Sequence, residues 1–204
     1  CELEPFHFSR ESRQTFLERV APTRQKSPFL VLSPGYRAGD YFPGFGTARW
    51  IRELRRLEAE TDLDFIFMGS AAEVASHTEI LKGLGQPERH EDLTGKIPRL
   101  EDLLGYLAAS GGYVGKDSGA LHLAAALGVP TLSIFGVGHW PRFLPVGARA
   151  CVLTVEVPCR GCDWRCHPKE PFCVTELPEG SLLEGWRALS GLQPVDRICL
   201  EYLP

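Results

Sequence analysis

The stretch Lys116-Asp-Ser-Gly-Ala-Leu-His-Leu-Ala-Ala-Ala-Leu-Gly-Val-Pro130, followed by Thr131-Leu-Ser-Ile-Phe-Gly136, constrains this chain more than any other. It spells a tight Asp117-Ser118-Gly119 turn, a short alanine-rich helix and a strand, and the apolar run Gly112-Tyr-Val-Gly115 supplies a strand before the turn. The first-turn amides of such a helix have no partner inside it, and the macrodipole adds roughly half a positive charge there. A diphosphate suits that position. The alternative is that Asp117 or Ser118 merely caps the helix. His122 on the first turn, and Gly128-Val129-Pro130 returning the chain to the sheet, fit a site open at the carboxyl ends of parallel strands.

The same alternation runs along much of the sequence. Phe29-Leu-Val-Leu-Ser33 predicts a strand that ends at Pro34-Gly35, and a Gly- and aromatic-rich loop from Tyr36 to Gly46 leads into a helix from Thr47 to about Glu60. Trp50, Leu54 and Leu57 share one face of that helix. Asp64-Phe-Ile-Phe-Met-Gly69 is a short apolar run bounded by a turn, which predicts a buried parallel strand, and a helix from Ala71 to Leu84 follows. Leu93 to Lys96 predicts a loop, Leu100 to Ala109 a helix, Thr131 to Phe135 a strand, Cys151 to Val157 a last strand and Gly180 to Ser190 a terminal helix. Strands alternating with helices at this spacing predict a doubly wound parallel α/β sheet with right-handed crossovers. The expected division is 1–28 as a connecting segment with a helix around Arg10 to Val20, 29–157 as the sheet domain, 158–175 as a cysteine-rich segment and 176–204 as a helix and tail.

With 204 residues, 44% of them hydrophobic, the chain is long enough to bury a substantial core. A net charge of -4 leaves no electrostatic footprint for nucleic acid. Arg52, Arg55 and Arg56 read as a solvated helix face. No apolar run approaches the roughly 20 residues that span a bilayer, and the first residues lack the pattern of an export signal. A cytoplasmic location is expected.

Four of the seven cysteines, Cys159, Cys162, Cys166 and Cys173, form a C-x2-C-x3-C-x6-C cluster with His167 beside Cys166. In a reduced compartment clustered thiols point to a metal before disulfides. Thiolates suit zinc and iron alike, with zinc the first expectation. The intervals are not those of a common zinc finger, and thiols packed without a metal remain the alternative.

The order of the motifs resembles the carboxyl-terminal half of family 9 glycosyltransferases, the ADP-heptose:lipopolysaccharide heptosyltransferases. The matching pieces are Ser33-Pro34-Gly35, Met68-Gly69 with Glu73 beyond it, Leu93-Thr94-Gly95-Lys96, the helix from Leu100, Asp117-Ser118-Gly119 with His122, Phe135-Gly136 and the late cysteine cluster. The resemblance implies a Rossmann-like domain, one half of a GT-B-type enzyme, that binds an ADP-sugar donor and transfers the sugar with inversion. No metal is implied for the chemical step. It places Asp117 at the sugar and diphosphate, Glu73 near the ribose, and Ile97, Pro98 and Leu100 against the adenine. Ser33 and Gly35 belong to the donor site, and the Ser118 and Gly119 amides with His122 meet the charge that develops on the leaving diphosphate. For the cysteines it implies a structural role.

Related UDP-sugar transferases and epimerases carry a Glu on the helix after the Ser-Gly turn. Here no Glu follows His122 before Pro130, which favours the heptosyltransferase branch. Family members also have a Lys before a Trp-Pro pair in the first loop, where this chain has Asp40; Arg37 is the candidate substitute. The resemblance further implies an acceptor domain, amino-terminal to these motifs, that carries an Asp general base. The expected acceptor is a saccharide, lipid-linked or protein group, with peripheral attachment to the inner membrane through it. The alternatives are a UDP-sugar enzyme half, or a non-catalytic relative that keeps the fold and the structural metal.

Overall fold

The computed structural model describes residues 28–35, 45–136, 138, 140–146, 149–162, 165–166, 171–191 and 197–202. The expected helix at Arg10 to Val20, together with Arg37, Asp40 and His167, lies outside them.

Among the described residues seven strands form one sheet in the order β3-β2-β1-β4-β5-β6-β7, and every neighbouring pair is parallel. They are β1 (Phe29–Ser33), β2 (Asp64–Phe67), β3 (Glu91–Asp92), β4 (Gly112–Lys116), β5 (Thr131–Ile134), β6 (Ala150–Val155) and β7 (Arg197–Tyr202). The helices are α1 (Thr47–Glu60), α2 (Val74–Lys82), α3 (Leu100–Ala109), α4 (Gly119–Ala126), α5 (Phe172–Thr175) and α6 (Ser181–Ser190). From β1 the chain builds outward through β2 to β3, then crosses back to lay β4 on the other side of β1. The order therefore reverses between β1 and β4, where ligand crevices open in such sheets.

Alternating side chains assign two cores. Leu30, Leu32, Phe65 and Phe67 pack with Trp50, Leu54 and Leu57 of α1 and Ile80 of α2, and the same layer continues through Leu132 and Leu153 to Leu182 and Leu189 of α6. Phe29, Val31, Ile66 and Tyr113 point the other way, against Tyr106 and Leu107 of α3 and Leu121 and Ala124 of α4. Both faces of the central strands are covered, which is why they read as unbroken apolar runs.

Several elements differ from expectation, among them β3, a two-residue strand where none is predicted. The helix expected from Ala71 begins as a 3-10 turn, Ala71–Glu73, at a Ser70–Glu73 capping box, with the Glu73 amide donating to the Ser70 carbonyl at 3.0 Å. The expected tail contains β7, which pairs with β6 from Ala150↔Arg197 to Val155↔Tyr202. The cysteine segment is only partly a surface excursion: α5 lies within it, and Cys173 is buried.

Candidate functional site at the carboxyl edge of the sheet

The loops that follow β1, β2, β3 and β4 converge around a buried histidine. The Gly35 amide donates to Nε2 of His77 at 2.8 Å, so Nε2 is an acceptor and the ring proton sits on Nδ1. Nδ1 then donates to Oγ1 of Thr94 at 2.6 Å, and the Thr94 amide donates to Asp92 Oδ1 at 2.9 Å. His77 is fully buried. Burial holds its pKa below the ordinary value, only partly opposed by the charges of Glu73 and Asp92, with Lys116 reinforcing the shift.

Glu73 is the acid of the capping box. Its Oε2 accepts from the amide and the hydroxyl of Ser70, each at 2.8 Å, while Oε1 lies 3.5 Å from the Lys116 ammonium. Burial pushes the carboxyl up, but the two Ser70 hydrogen bonds and the charge of Lys116 outweigh it and hold the pKa below the usual value. Glu73 is thus ionised, anchored through one oxygen and close to a cation through the other.

The predicted turn starts α4. Ser118 is the N-cap in extended conformation, and its hydroxyl accepts from the Leu121 amide at 3.5 Å. The same hydroxyl shares a 3.0 Å hydrogen bond with the buried Tyr113 hydroxyl, which also bonds Ser33. Burial pushes the Tyr113 pKa up to about 12, so the phenol stays neutral. Ser118 caps the helix weakly, and a Cβ built on Gly119 meets none of the described residues within 4 Å. Among the described residues nothing covers the helix start at Gly119. His122 Nε2 lies 3.4 Å from Asp117 Oδ1.

Two clefts flank this centre. One of about 530 Å³ has Asp117, Ser118, Gly119 and His122 on one side and Arg142, Phe143, Leu144 and Val146 on the other. The second, of about 450 Å³, is lined by Leu93, Lys96, Ile97, Pro98, Arg99, Asp102 and Tyr106. Ile97 and Pro98 line one cavity together, whereas Leu100 is not among its lining residues and is 57% exposed. The sequence expectations missed His77, Thr94, Lys116 and Tyr113. The available signal for His77 was an imidazole on the buried stripe of a helix, three residues before Ile80.

The cysteines are partly gathered. Cys162 and Cys166 are hydrogen-bond neighbours. Burial first, then the neighbouring thiols Cys166, Cys159 and Cys162, push Cys173 up to about 12. Among the described residues no group of three or more His, Cys, Asp and Glu side chains is disposed to hold a metal ion. A Cβ on Gly136 would lie 2.4 Å from Val174 and 3.2 Å from the Cys173 sulfur, so α5 rests directly on the chain leaving β5. Arg160 stacks on Trp140 with 4.3 Å between guanidinium carbon and ring centre.

Fold and site define an open, doubly wound α/β protein with its crevice at the topological switch point. The Glycosyltransferase family 9 (heptosyltransferase) profile matches residues 7–171, and the chain belongs to that family. Its fold is similar to that of the E. coli ADP-heptose LPS heptosyltransferase II (TM-score 0.69, 20% identity, covering 91% of this chain and 53% of that one). It is also similar to a family 9 glycosyltransferase of Veillonella parvula DSM 2008 (TM-score 0.66, 17% identity, 92% and 53%). The iron-containing dodecameric glycosyltransferase TibC of enterotoxigenic E. coli H10407 gives a TM-score of 0.57 at 18% identity, with 80% and 45% covered. The chain spans about half the length of these structures. No curated protein matches it. Among the described residues no helix is long and apolar enough to cross a membrane.

Proposed function

We propose that this chain is the carboxyl-terminal, donor-binding half of an inverting glycosyltransferase that takes ADP-heptose or a related ADP-sugar. The observation that carries this is the Asp117-Ser118-Gly119 turn, whose helix start, uncovered among the described residues, lines the cleft of about 530 Å³ at the switch point. In strand order, the Ile97–Pro98 cavity, Glu73, Gly35 and the 117–119 turn follow one another along the sheet edge. A nucleotide laid along it would put its base on Ile97 and Pro98, a ribose hydroxyl on Glu73, its diphosphate at Ser118 and Gly119 and its sugar beside Asp117 and His122.

In transfer with inversion an acceptor oxygen attacks the anomeric carbon as the bond to the diphosphate breaks, and the bonding pair leaves on the diphosphate. The α4 amides are preorganised donors for that charge, and such donors are worth more in a partly buried crevice than in water. The general base that takes the acceptor's proton is assigned to an amino-terminal acceptor domain. Family membership and the domain-scale likeness to heptosyltransferases support this reading.

Calorimetric titration of the chain with ADP and UDP tests it. ADP is expected to bind and UDP to bind at least tenfold more weakly, a difference of about 1.4 kcal/mol. Equal affinities would favour a uridine-sugar enzyme half, and binding of neither would favour a non-catalytic relative.

A further inference from the structure

The ion pair between Lys116 and Glu73 crosses the crevice. Lys116 is the last residue of β4, while Glu73 follows β2, and β1 lies between those two strands in the sheet. The ammonium therefore reaches over the end of β1 to meet Oε1 at 3.5 Å. That is longer than the roughly 2.7–2.9 Å of a charge-assisted hydrogen bond. Glu73 is fixed from its other oxygen by Ser70. The Lys116 side chain keeps 31% of its surface exposed, and a four-carbon stem lets an ammonium change partners within a few ångströms.

The crevice needs such a cation. Glu73, Asp92 and Asp117 all lie around it, and a diphosphate adds at least two further negative charges. The half charge of the α4 dipole does not balance them. Among the described residues the other nearby cations stand to the sides: Lys96 donates to the Asp92 carbonyl at 2.6 Å beside the Ile97–Pro98 cavity, and Arg142 sits on the far wall of the cleft beyond the turn. Lys116 is adjacent in sequence to the turn itself.

We propose that Lys116 is a diphosphate-binding residue, with the Glu73 carboxylate as its partner in the ligand-free protein. On nucleotide binding the ammonium turns from Oε1 to the phosphate oxygens, and Oε1 becomes available to accept from a ribose hydroxyl. One lysine thereby couples recognition of the two parts of the ligand. This rests on the donor-binding reading above and adds a specificity element to it: the site should discriminate by phosphate count.

Calorimetry of the purified chain with ADP, AMP and adenosine tests the assignment, using wild type, Lys116→Met, Lys116→Arg and Glu73→Gln. Lys116→Met is expected to weaken ADP about tenfold or more, AMP less and adenosine by no more than about twofold, and to flatten the salt dependence of ADP binding. Lys116→Arg should retain most of the ADP affinity, and Glu73→Gln should weaken adenosine and ADP alike. Equal losses for adenosine and ADP in Lys116→Met would make the lysine a positioning residue for Glu73 and overturn the proposal. Unchanged ADP binding in that variant, with an unchanged melting temperature, would overturn it too. A wild-type chain that binds none of the three ligands would remove the donor-binding reading itself, and this proposal with it.

Discussion

The amide of Gly35 and Nε2 of His77 are joined by a 2.8 Å hydrogen bond that ties the end of β1 to the middle of α2. Through Nδ1 the same ring holds Thr94, so one imidazole sets the relative positions of three loops at the crevice. The contact is close enough to dictate the residue at 35: a Cβ there would lie 2.3 Å from Nε2 and 3.1 Å from the Glu73 Cβ.

Gly35→Ala should therefore destabilise the fold by about 2–3 kcal/mol, combining overpacking with a lost buried hydrogen bond. His77 has no room to withdraw, because Thr94 holds its far side. Urea denaturation would read this as a lower midpoint at unchanged slope. A midpoint equal to that of wild type would show the loop to be far more compliant than the contact implies.

Acid should weaken the protein in two stages. His77 and His90 are both held neutral, chiefly by burial, and in His90 this wins over the hydrogen bond to Glu58. Below the free-histidine value of 6.5 the unfolded chain takes up protons that the folded one resists, so stability present above that pH falls as pH drops towards the folded values. Glu58 and Glu73 are depressed despite burial, by the His90 and Ser70 hydrogen bonds respectively, so their contribution is lost below 4.5. Each histidine contributes a slope of at most about 1.4 kcal/mol per pH unit. His77→Gln should flatten the slope below pH 6.5 in denaturation curves taken across that range.

Gly119→Val separates folding from binding. The added side chain meets none of the described residues, so the melting temperature should move little, by less than the ~1 kcal/mol equivalent of a β-branched residue in a first helical turn. ADP affinity should fall at least tenfold, because the branched side chain occupies the approach to the α4 amides. A variant that binds ADP as tightly as wild type would move the diphosphate away from this turn.

The cysteine cluster should show graded reactivity. Cys159 is exposed, whereas Cys173 is buried with its pKa pushed up to about 12, so a thiol reagent at neutral pH should label Cys159 first and Cys173 last. We further propose that Cys159, Cys162, Cys166 and Cys173 take one structural metal, zinc before iron. One equivalent of zinc should then suppress labelling of Cys159, and Cys162→Ser should restore it. Labelling indifferent to zinc would leave the cluster as packed thiols, in keeping with the lack of a preformed metal-holding group among the described residues.

The limits of β1, α1 and α3 follow from sequence because each is a run whose apolar period matches its structure and whose ends carry Pro, Gly or polar punctuation. β3 is two charged residues at a sheet edge, and no periodicity exists in so short a segment. The Asp117-Ser118-Gly119 turn was legible because its residues are neighbours in sequence. His77 is contacted by residues 42 positions before it and 17 after it, and only tertiary structure brings those together. Lys116 lay in plain view beside the turn, but its meaning depends on Glu73 arriving from the far side of β1.

β7 has a practical corollary. All six residues of β6 are buried, and β7 occupies one of that strand's two hydrogen-bonding flanks along its full length. A cut made after Gly191 would strip that flank bare, leaving a row of unpaired amides and carbonyls on an apolar strand, the kind of border along which sheets of separate molecules fuse. Laboratory versions of this domain should keep Arg197 to Tyr202, and a fusion partner attached there needs a spacer so that it does not pry the strand away.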